Sequence, residues 1–353
     1  MDKPIISGIQ QIGIGNPDVY ACFKWYRQQF GTDIPVFDEA AEAGLMLPYT
    51  GGEARQRHAI LAINIQGGGG LEIWQYTSRT PEEAQFEVQL GDTGIYAAKF
   101  KSKDVVATHR QFQKKGLNLL GGVHKAPNGQ DHFYLKDPYG NICEVVPSDN
   151  WFRNNSQPCG GVYGCTIGVS DIDKAKTVYA NILGYDEVIY DEKGTFEDFQ
   201  GLPGGQHPFR RVLLGHRQQR KGAFSRLLGK SEIELVQVLD RKPNKIFADR
   251  MWGDIGFIHL CFDIQGMAEM KAKCTDLGHP FTVDSSDSFD MGEAAGHFSY
   301  IEDPDGTLIE FVETHKVPIL KKINWYLDLR KRNPQRPLPN WMVRALAFNR
   351  VKD

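Results

Sequence analysis

The chain predicts an α+β fold made of four βαβββ modules, and three observations predict it. Four strand-like openings start with glycine: Gly8-Ile9-Gln10-Gln11-Ile12-Gly13, Gly94-Ile95-Tyr96-Ala97, Gly161-Val162-Tyr163-Gly164 and Gly256-Phe257-Ile258-His259. Four later strands each place a glutamate in an apolar run: Leu71-Glu72-Ile73-Trp74, Cys143-Glu144-Val145-Val146, Ile233-Glu234-Leu235-Val236 and Ile309-Glu310-Phe311-Val312. The distance from the variable opening residue to a helix-ending glycine is 20, 19, 20 and 19 residues (Gln11 to Gly31, Ala97 to Gly116, Gly164 to Gly184, His259 to Gly278). Modules one and three match, as do two and four, so a two-module unit has been duplicated.

Each opening strand feeds a helix. Val19, Cys22, Phe23, Tyr26 and Phe30 keep helical spacing, and Gly31 supplies a left-handed stop. Val105, His109, Phe112 and Lys115 precede Gly116. Asp171 is an N-cap candidate before Ala175, Val178, Tyr179 and Ile182. Met267, Met270, Cys274 and Leu277 lead to Gly278. Modules two and four then carry Asp-Pro turns, Asp137-Pro138-Tyr139-Gly140 and Asp303-Pro304-Asp305-Gly306, with the glutamate seven residues after the aspartate. Modules one and three share Glu-x-x-Gln instead: Glu72 with Gln75, Glu234 with Gln237. The modules span 5–76, 93–147, 160–239 and 255–315. They form two halves, 1–150 and 151–315, followed by an extension at 316–353. The connector 239–254, with Arg241-Lys242-Pro243-Asn244, is expected to hold a short helix. Gly67-Gly68-Gly69-Gly70 reads as a flexible turn, since no Lys-Ser/Thr helix follows to make it a phosphate loop.

Bulk properties narrow the class. With 353 residues, 41% hydrophobic and 24% charged, the chain has the composition of a globular protein of more than one domain. A net charge of -3 argues against general nucleic-acid binding. Six cysteines without a CxxC pair indicate neither a disulfide framework nor a cysteine zinc site. No apolar run approaches the roughly 18 residues needed to span a bilayer, and no signal-peptide core is evident, so the cytoplasm is the expected compartment.

These residues resemble the vicinal oxygen chelate superfamily, which includes glyoxalase I, extradiol dioxygenases and bleomycin-resistance proteins. Gln10-Gln11-Ile12-Gly13-Ile14 looks like that family's His-His-Ile-Gly-Ile opening with glutamines substituted. Asp303-Pro304-Asp305-Gly306-Thr307-Leu308-Ile309-Glu310 looks like its closing motif. The resemblance implies that modules pair into two cupped, eight-stranded mixed sheets. It also implies that each module gives a shared divalent metal one ligand from its opening strand and one from its closing strand. The eight positions are Gln11 and Glu72, Ala97 and Glu144, Gly164 and Glu234, His259 and Glu310. If neighbours pair, the cups hold Gln11, Glu72 and Glu144 in one and Glu234, His259 and Glu310 in the other. If modules one and four pair, one cup holds Gln11, Glu72, His259 and Glu310, and the inner cup keeps only Glu144 and Glu234. Outer pairing is favoured because it assembles one complete set, of the kind the glyoxalase I resemblance implies.

One imidazole and three oxygen donors suit Zn²⁺, Ni²⁺, Mn²⁺, Co²⁺, Fe²⁺ or Mg²⁺. A small substrate with adjacent oxygens could chelate there, and Glu310, or else Glu72, would by resemblance act as general base. Residues two away from a ligand share its face of the strand, so Trp74, Phe257, Cys261, Leu308 and Val312 are expected to line the pocket. His132 and His297 are candidates for the rim. The function expected is a metal-dependent lyase or isomerase of glyoxalase type, in a monomer or homodimer. The alternatives are an extradiol dioxygenase, which needs a second histidine, and a metal-free binding protein of the resistance type. The extension is basic and aromatic, with Lys321, Lys322, Trp325, Arg330, Lys331 and Trp341 among its residues. It is expected to form two short helices divided by Pro334, Pro337 and Pro339.

Overall fold

A computed structural model describes residues 3–155, 157–286, 289–291, 294–320 and 325–352. Module one consists of β1 (Ile5–Gly15), α1 (Val19–Phe30), β2 (Ile34–Glu42), β3 (Gln56–Ile63) and β4 (Gly70–Tyr76). Module two runs through β5 (Gly94–Ser102), α2 (Val105–Lys114), β6 (Asn118–Leu119), β7 (His124–Lys125), β8 (Asp131–Lys136) and β9 (Ile142–Pro147). Module three has β10 (Cys159–Gly168), α3 (Ile172–Lys176), a wider helical turn at Thr177–Ile182, β11 (Glu187–Gly194), β12 (Phe209–Gly215), α4 (Ser225–Leu228) and β13 (Glu232–Val238). Module four has β14 (Gly256–Gln265), α5 (Met267–Asp276), β15 (Val283–Asp284), β16 (Phe289–Met291), β17 (Ala294–Glu302) and β18 (Leu308–Thr314).

The helix signals hold. Asp18, Asp104 and Asp171 cap α1, α2 and α3 through side-chain bonds to first-turn N–H groups. Gly31, Gly116, Gly184 and Gly278 all adopt positive φ, from 67° to 83°.

Outer pairing is what the strands adopt. One sheet has the order β15-β17-β18-β14-β1-β4-β3-β2, which joins modules four and one through an antiparallel β1/β14 seam. The other has the order β11-β12-β13-β10-β5-β9-β8-β6, which joins modules three and two through β10/β5. Each path has eight strands, and one short strand (β16 or β7) lies off it. Each sheet therefore takes one module from residues 1–150 and one from 151–315.

The main core lies between the two sheets and is filled by the helices, with Ile12, Phe30, Phe100, Ile167 and Phe262 among its residues. The duplicated motifs lock this layer. The Asp-Pro turn of module two accepts a hydrogen bond from the Tyr26 hydroxyl to Asp137 at 2.9 Å, and that of module four accepts one from Tyr179 to Asp303 at 2.9 Å. In the odd modules, Gln75 Oε1 accepts from the Val19 N–H at 2.9 Å and Gln237 Oε1 from the Ile172 N–H at 3.4 Å. The shared glutamines thus tie each closing strand to the first turn of its own helix.

Three expectations need correction. The Gly67–Gly70 run is not a flexible turn. It is buried and hydrogen-bonded to Gly161, Val162 and Leu227, and a Cβ on Gly68 would come within 2.8 Å of the Gly161 backbone. Small residues are needed there because two backbones touch. The connector 239–254 forms turns rather than a helix, held by the Arg250 guanidinium donating to the Ile246, Ile255 and Glu82 carbonyls. The extension opens with a strand pair, β19 (Lys316–Leu320) and β20 (Trp325–Asp328), before α6 (Asn340–Ala345). Leu329, Leu338 and Val343 then pack against Ile34, Ile63 and Leu227. Lys321 and Lys322 lie outside the described residues, as does the side chain of Trp325. No helix among the described residues is long and apolar enough to cross a membrane.

Candidate functional site

Strand register brings Gln11, Glu72, His259 and Glu310 together. In the β1/β14 seam Gln11 pairs with Cys261 and Gly13 with His259. The flanking parallel strands β4 and β18 then present their glutamates from either side. His259 Nε2 lies 3.1 Å from Glu310 Oε2 and 3.3 Å from Glu72 Oε2. Gln11 Nε2 donates to Glu310 Oε2 at 3.3 Å. One ligand atom from each of Glu72, His259 and Glu310 lies within 4.8 Å of the others, the separation of groups that could share one ion.

The polar groups here are incompletely satisfied by protein. His259 is fully buried, yet neither ring nitrogen has an aligned hydrogen-bond partner, and Gln11 Oε1 has none either. Buried polar atoms are normally paired, so two orphans, His259 Nε2 and Gln11 Oε1, beside two carboxylates fit a cation-binding centre. Gln11 Oε1, Glu72, His259 Nε2 and Glu310 are the atoms that would hold a divalent ion. Without one, burial works against the imidazolium, but the Glu310 and Glu72 carboxylates outweigh it and push the His259 pKa up to about 9. Burial likewise opposes ionisation of Glu72, and His259 overcomes it, holding that carboxyl below its ordinary value.

Packing orients the imidazole. Trp252 stacks on it with ring centroids 6.1 Å apart and planes 13° apart, and Tyr300 meets it edge-on at 5.6 Å. Beneath it lies Gly13, where a Cβ would sit 2.3 Å from the ring. Gly13 therefore keeps the histidine's place open.

Of the predicted lining, Trp74, Cys261, Leu308 and Val312 join Trp252, Tyr300 and Phe298 in one apolar cluster around the ligand set. Phe257 does not. The β1/β14 register slips between Gly13 and Ile14, opposite His259 and Phe257, leaving Ile258 as the extra residue of a bulge. Ile258 takes the cup face, and Phe257 packs into the main core. A cavity of about 360 Å³ adjoins the cluster, with Trp252, Phe257, Ile258 and Leu308 in its wall. His297 does not reach the rim but pairs with Asp284 at 2.6 Å. Cys261 carries a thiol raised well above its ordinary pKa by burial and then by Glu310, which suits packing rather than nucleophilic attack. Sequence reasoning missed Trp252 and Tyr300. Tyr300 is the cross-strand neighbour of Glu310, a signal that strand pairing could have supplied.

Glu144 and Glu234 meet in the second cup, as outer pairing requires, but around a lysine. Lys99 Nζ lies 2.9 Å from Glu144 and 2.7 Å from Glu234. Arg211 binds Glu234 and Asp198, both at 2.7 Å, and His132 bridges Glu144 at 2.8 Å and Asp198 at 3.1 Å.

Residues 8–145 match the family model described as Glyoxalase/Bleomycin resistance protein/Dioxygenase superfamily. No curated protein matches the chain in sequence. Among solved structures, glyoxalase I from Zea mays superposes with a TM-score of 0.51 at 12% identity, over 87% of this chain and 92% of that one. A putative dioxygenase from Bacillus subtilis subsp. subtilis str. 168 gives 0.54 at 14% identity, over 88% and 86%. At such identities the likeness speaks for the fold, in agreement with two cups assembled from four modules. The match to the glyoxalase, bleomycin resistance protein and dioxygenase superfamily thus lies in modules one and two, and the chain as a whole shares the fold of these solved structures.

Proposed function

We propose that the outer cup is the active centre of a metal-dependent lyase or isomerase that moves a proton next to a chelated oxygen of a small organic substrate. The observation that carries this reading is the convergence of Glu72, His259 and Glu310 within 4.8 Å, with the orphaned Gln11 carbonyl oxygen beside them. A divalent ion held there supplies Lewis-acid stabilisation of negative charge developing on a substrate oxygen.

The chain's own residues do the rest. Glu310 is the base of this reading. Its side chain is nearly enclosed, and Gln11 Nε2 donates to one of its oxygens at 3.3 Å, which orients the carboxylate. Glu72, on the other side of His259, is the carboxylate that would balance the charge of the ion. Trp74, Trp252 and Tyr300 form an aromatic wall that keeps bulk water from the reacting carbon. An extradiol dioxygenase needs a second imidazole, and among the described residues the cluster has only His259.

The test is elemental analysis of protein purified without chelators, followed by assays with 2-oxoaldehydes plus thiol and with acyl thioesters. About one divalent ion per chain, absent from His259→Ala, together with turnover that depends on Glu310, is the expected result. No metal at any stage of loading would overturn the reading in favour of a metal-free binding protein. Oxygen uptake with catechols after anaerobic iron loading would replace it with ring cleavage.

A further inference from the structure

Away from both cups, a cavity of about 450 Å³ lies between residues 150–152, the stretch 216–230 and Asn340. We propose that it is a binding site for an oligophosphate anion, either free or as the phosphate chain of a nucleotide. Four cations line it, Arg217, Arg220, Arg226 and Lys230, and no carboxylate does. The chain as a whole is acidic, with 44 Asp and Glu against 41 Lys and Arg, so this is a local concentration of one sign. Like charges gathered in a concave site repel, and a multivalent anion relieves that repulsion.

The cations are held by neutral partners, which leaves their charge uncompensated. Arg220 donates to the Leu183 carbonyl at 2.9 Å and lies over the Tyr185 ring at 4.9 Å, with its Nε buried and unpartnered. Arg226 donates to Asn340 Oδ1 at 3.1 Å. The side chains of Arg217 and Lys230 are exposed and have no ion-pair partner among the described residues. Asp186 approaches this stretch, but its carboxylate accepts the Arg217 backbone N–H at 3.1 Å. His216, also in the wall, reports the field. Burial first, then Arg220 and Lys230, press its pKa down to about 4, so it adds no charge of its own.

Two features favour a phosphate chain over a lone carboxylate. Three of the four cations are guanidinium groups, whose planar forks match phosphate oxygens. The volume also exceeds what one small anion fills, and four cations within the single stretch 216–230 line it, which suits a ligand with several charged centres.

The experiment is calorimetric titration of the full chain at constant ionic strength and without divalent ions, so that chelation at the outer cup plays no part. The probes are inorganic pyrophosphate, inorganic phosphate and ATP. Pyrophosphate should bind at least about tenfold more tightly than phosphate, the gain expected when a second charged group is engaged. The double variant Arg217→Gln/Lys230→Gln should weaken pyrophosphate by at least about tenfold. The double variant Lys114→Gln/Lys193→Gln, which removes the same charge from exposed positions elsewhere, should leave it unchanged. Tighter binding of ATP than of pyrophosphate would assign the ligand to the nucleotides, and equal binding would assign it to free oligophosphates. Pyrophosphate binding no tighter than phosphate, or equal loss in both double variants, would overturn the proposal.

Discussion

The two cups share one backbone and differ at a handful of positions that decide what occupies their centres. Seam register sets the equivalences: Gln11 faces Cys261 and Gly13 faces His259 in the outer cup, while Gly164 faces Lys99 and Thr166 faces Ala97 in the inner one. The inner cup has thus lost the amide and imidazole donors and gained an ammonium where the outer cup has a thiol. The pattern extends along the neighbouring strands. Phe298 and Tyr300 of β17 correspond to His132 and Tyr134 of β8, and Ala59 of β3 corresponds to Arg211 of β12. Three protein cations (Lys99, His132, Arg211) therefore balance three carboxylates (Glu144, Glu234, Asp198) in the inner cup. The outer cup sets one imidazole against two carboxylates and leaves acceptor atoms unused. A buried carboxylate pair must be compensated. One cup does it from its own sequence, and the other, on the function proposed above, takes its cation from solution.

The largest effect expected is at His259. His259→Ala should remove the bound ion entirely and lower kcat/KM by more than about a hundredfold, since even residues that merely support metal ligands cost about 10–100-fold. Elemental analysis and steady-state kinetics read it. The matching change in the inner cup, Ala97→His, should bring no metal while Lys99 remains.

Next is Lys99→Ala. Removing one partner of a buried pair costs about 3–5 kcal/mol, so chemical denaturation should show a loss of that order. Millimolar Mn²⁺ or Mg²⁺ should recover part of it in the variant and none through the inner cup of the wild type, because the ion then takes the place of the ammonium. Running both in the His259→Ala background isolates the inner cup. Recovery equal in both proteins would break the comparison.

Gly13→Ala should be smaller and local. Its Cβ would meet the His259 ring at 2.3 Å, so the imidazole must shift, and metal affinity should fall by about tenfold or more with little change in unfolding midpoint. Thr166→Ala, at the equivalent inner position, should leave metal binding unchanged.

The smallest effect is a pH slope. Burial opposes protonation of His132, but Asp198 and Glu144 more than offset it and push its pKa up to about 9. A folded pKa above the unfolded value gives stability that is complete below about pH 6.5 and is lost as the pH rises to about 9. His132→Gln should flatten that decline, by at most about 1.4 kcal/mol per pH unit. Subtracting variant from wild type at each pH cancels any contribution from His259. A slope identical in both proteins would show that His132 is neutral and that the inner cup's charges do not balance as described.

The four modules, their helix stops and the positions of Gln11, Glu72, His259 and Glu310 were legible because each rests on a local rule: a capping aspartate, a left-handed glycine, a polar residue breaking an apolar strand. Ile258 was missed because strict alternation assumes an unbroken ladder, and a one-residue bulge turns it to the cup face while Phe257 lines the adjoining cavity from the main core. Lys99, His132, Asp198 and Arg211 were not recognised as one network because they come from different strands and a loop. No spacing along the chain signals a four-residue charge network closed across a sheet.

By itself, then, the sequence determined the modules and the chemical character of each opening strand, since helix and strand periodicity and backbone stereochemistry act over a few residues. Tertiary structure alone decided which modules share a sheet, and so whether Gln11 and Glu72 meet His259 and Glu310 or face Glu144. That choice rests on the β1/β14 and β10/β5 seams and on the Tyr26–Asp137 and Tyr179–Asp303 bonds between layers. These contacts join residues from 57 positions apart (Cys159 and Ser102) to 260 (Ile5 and Gln265), and their energies exist only once both partners are folded.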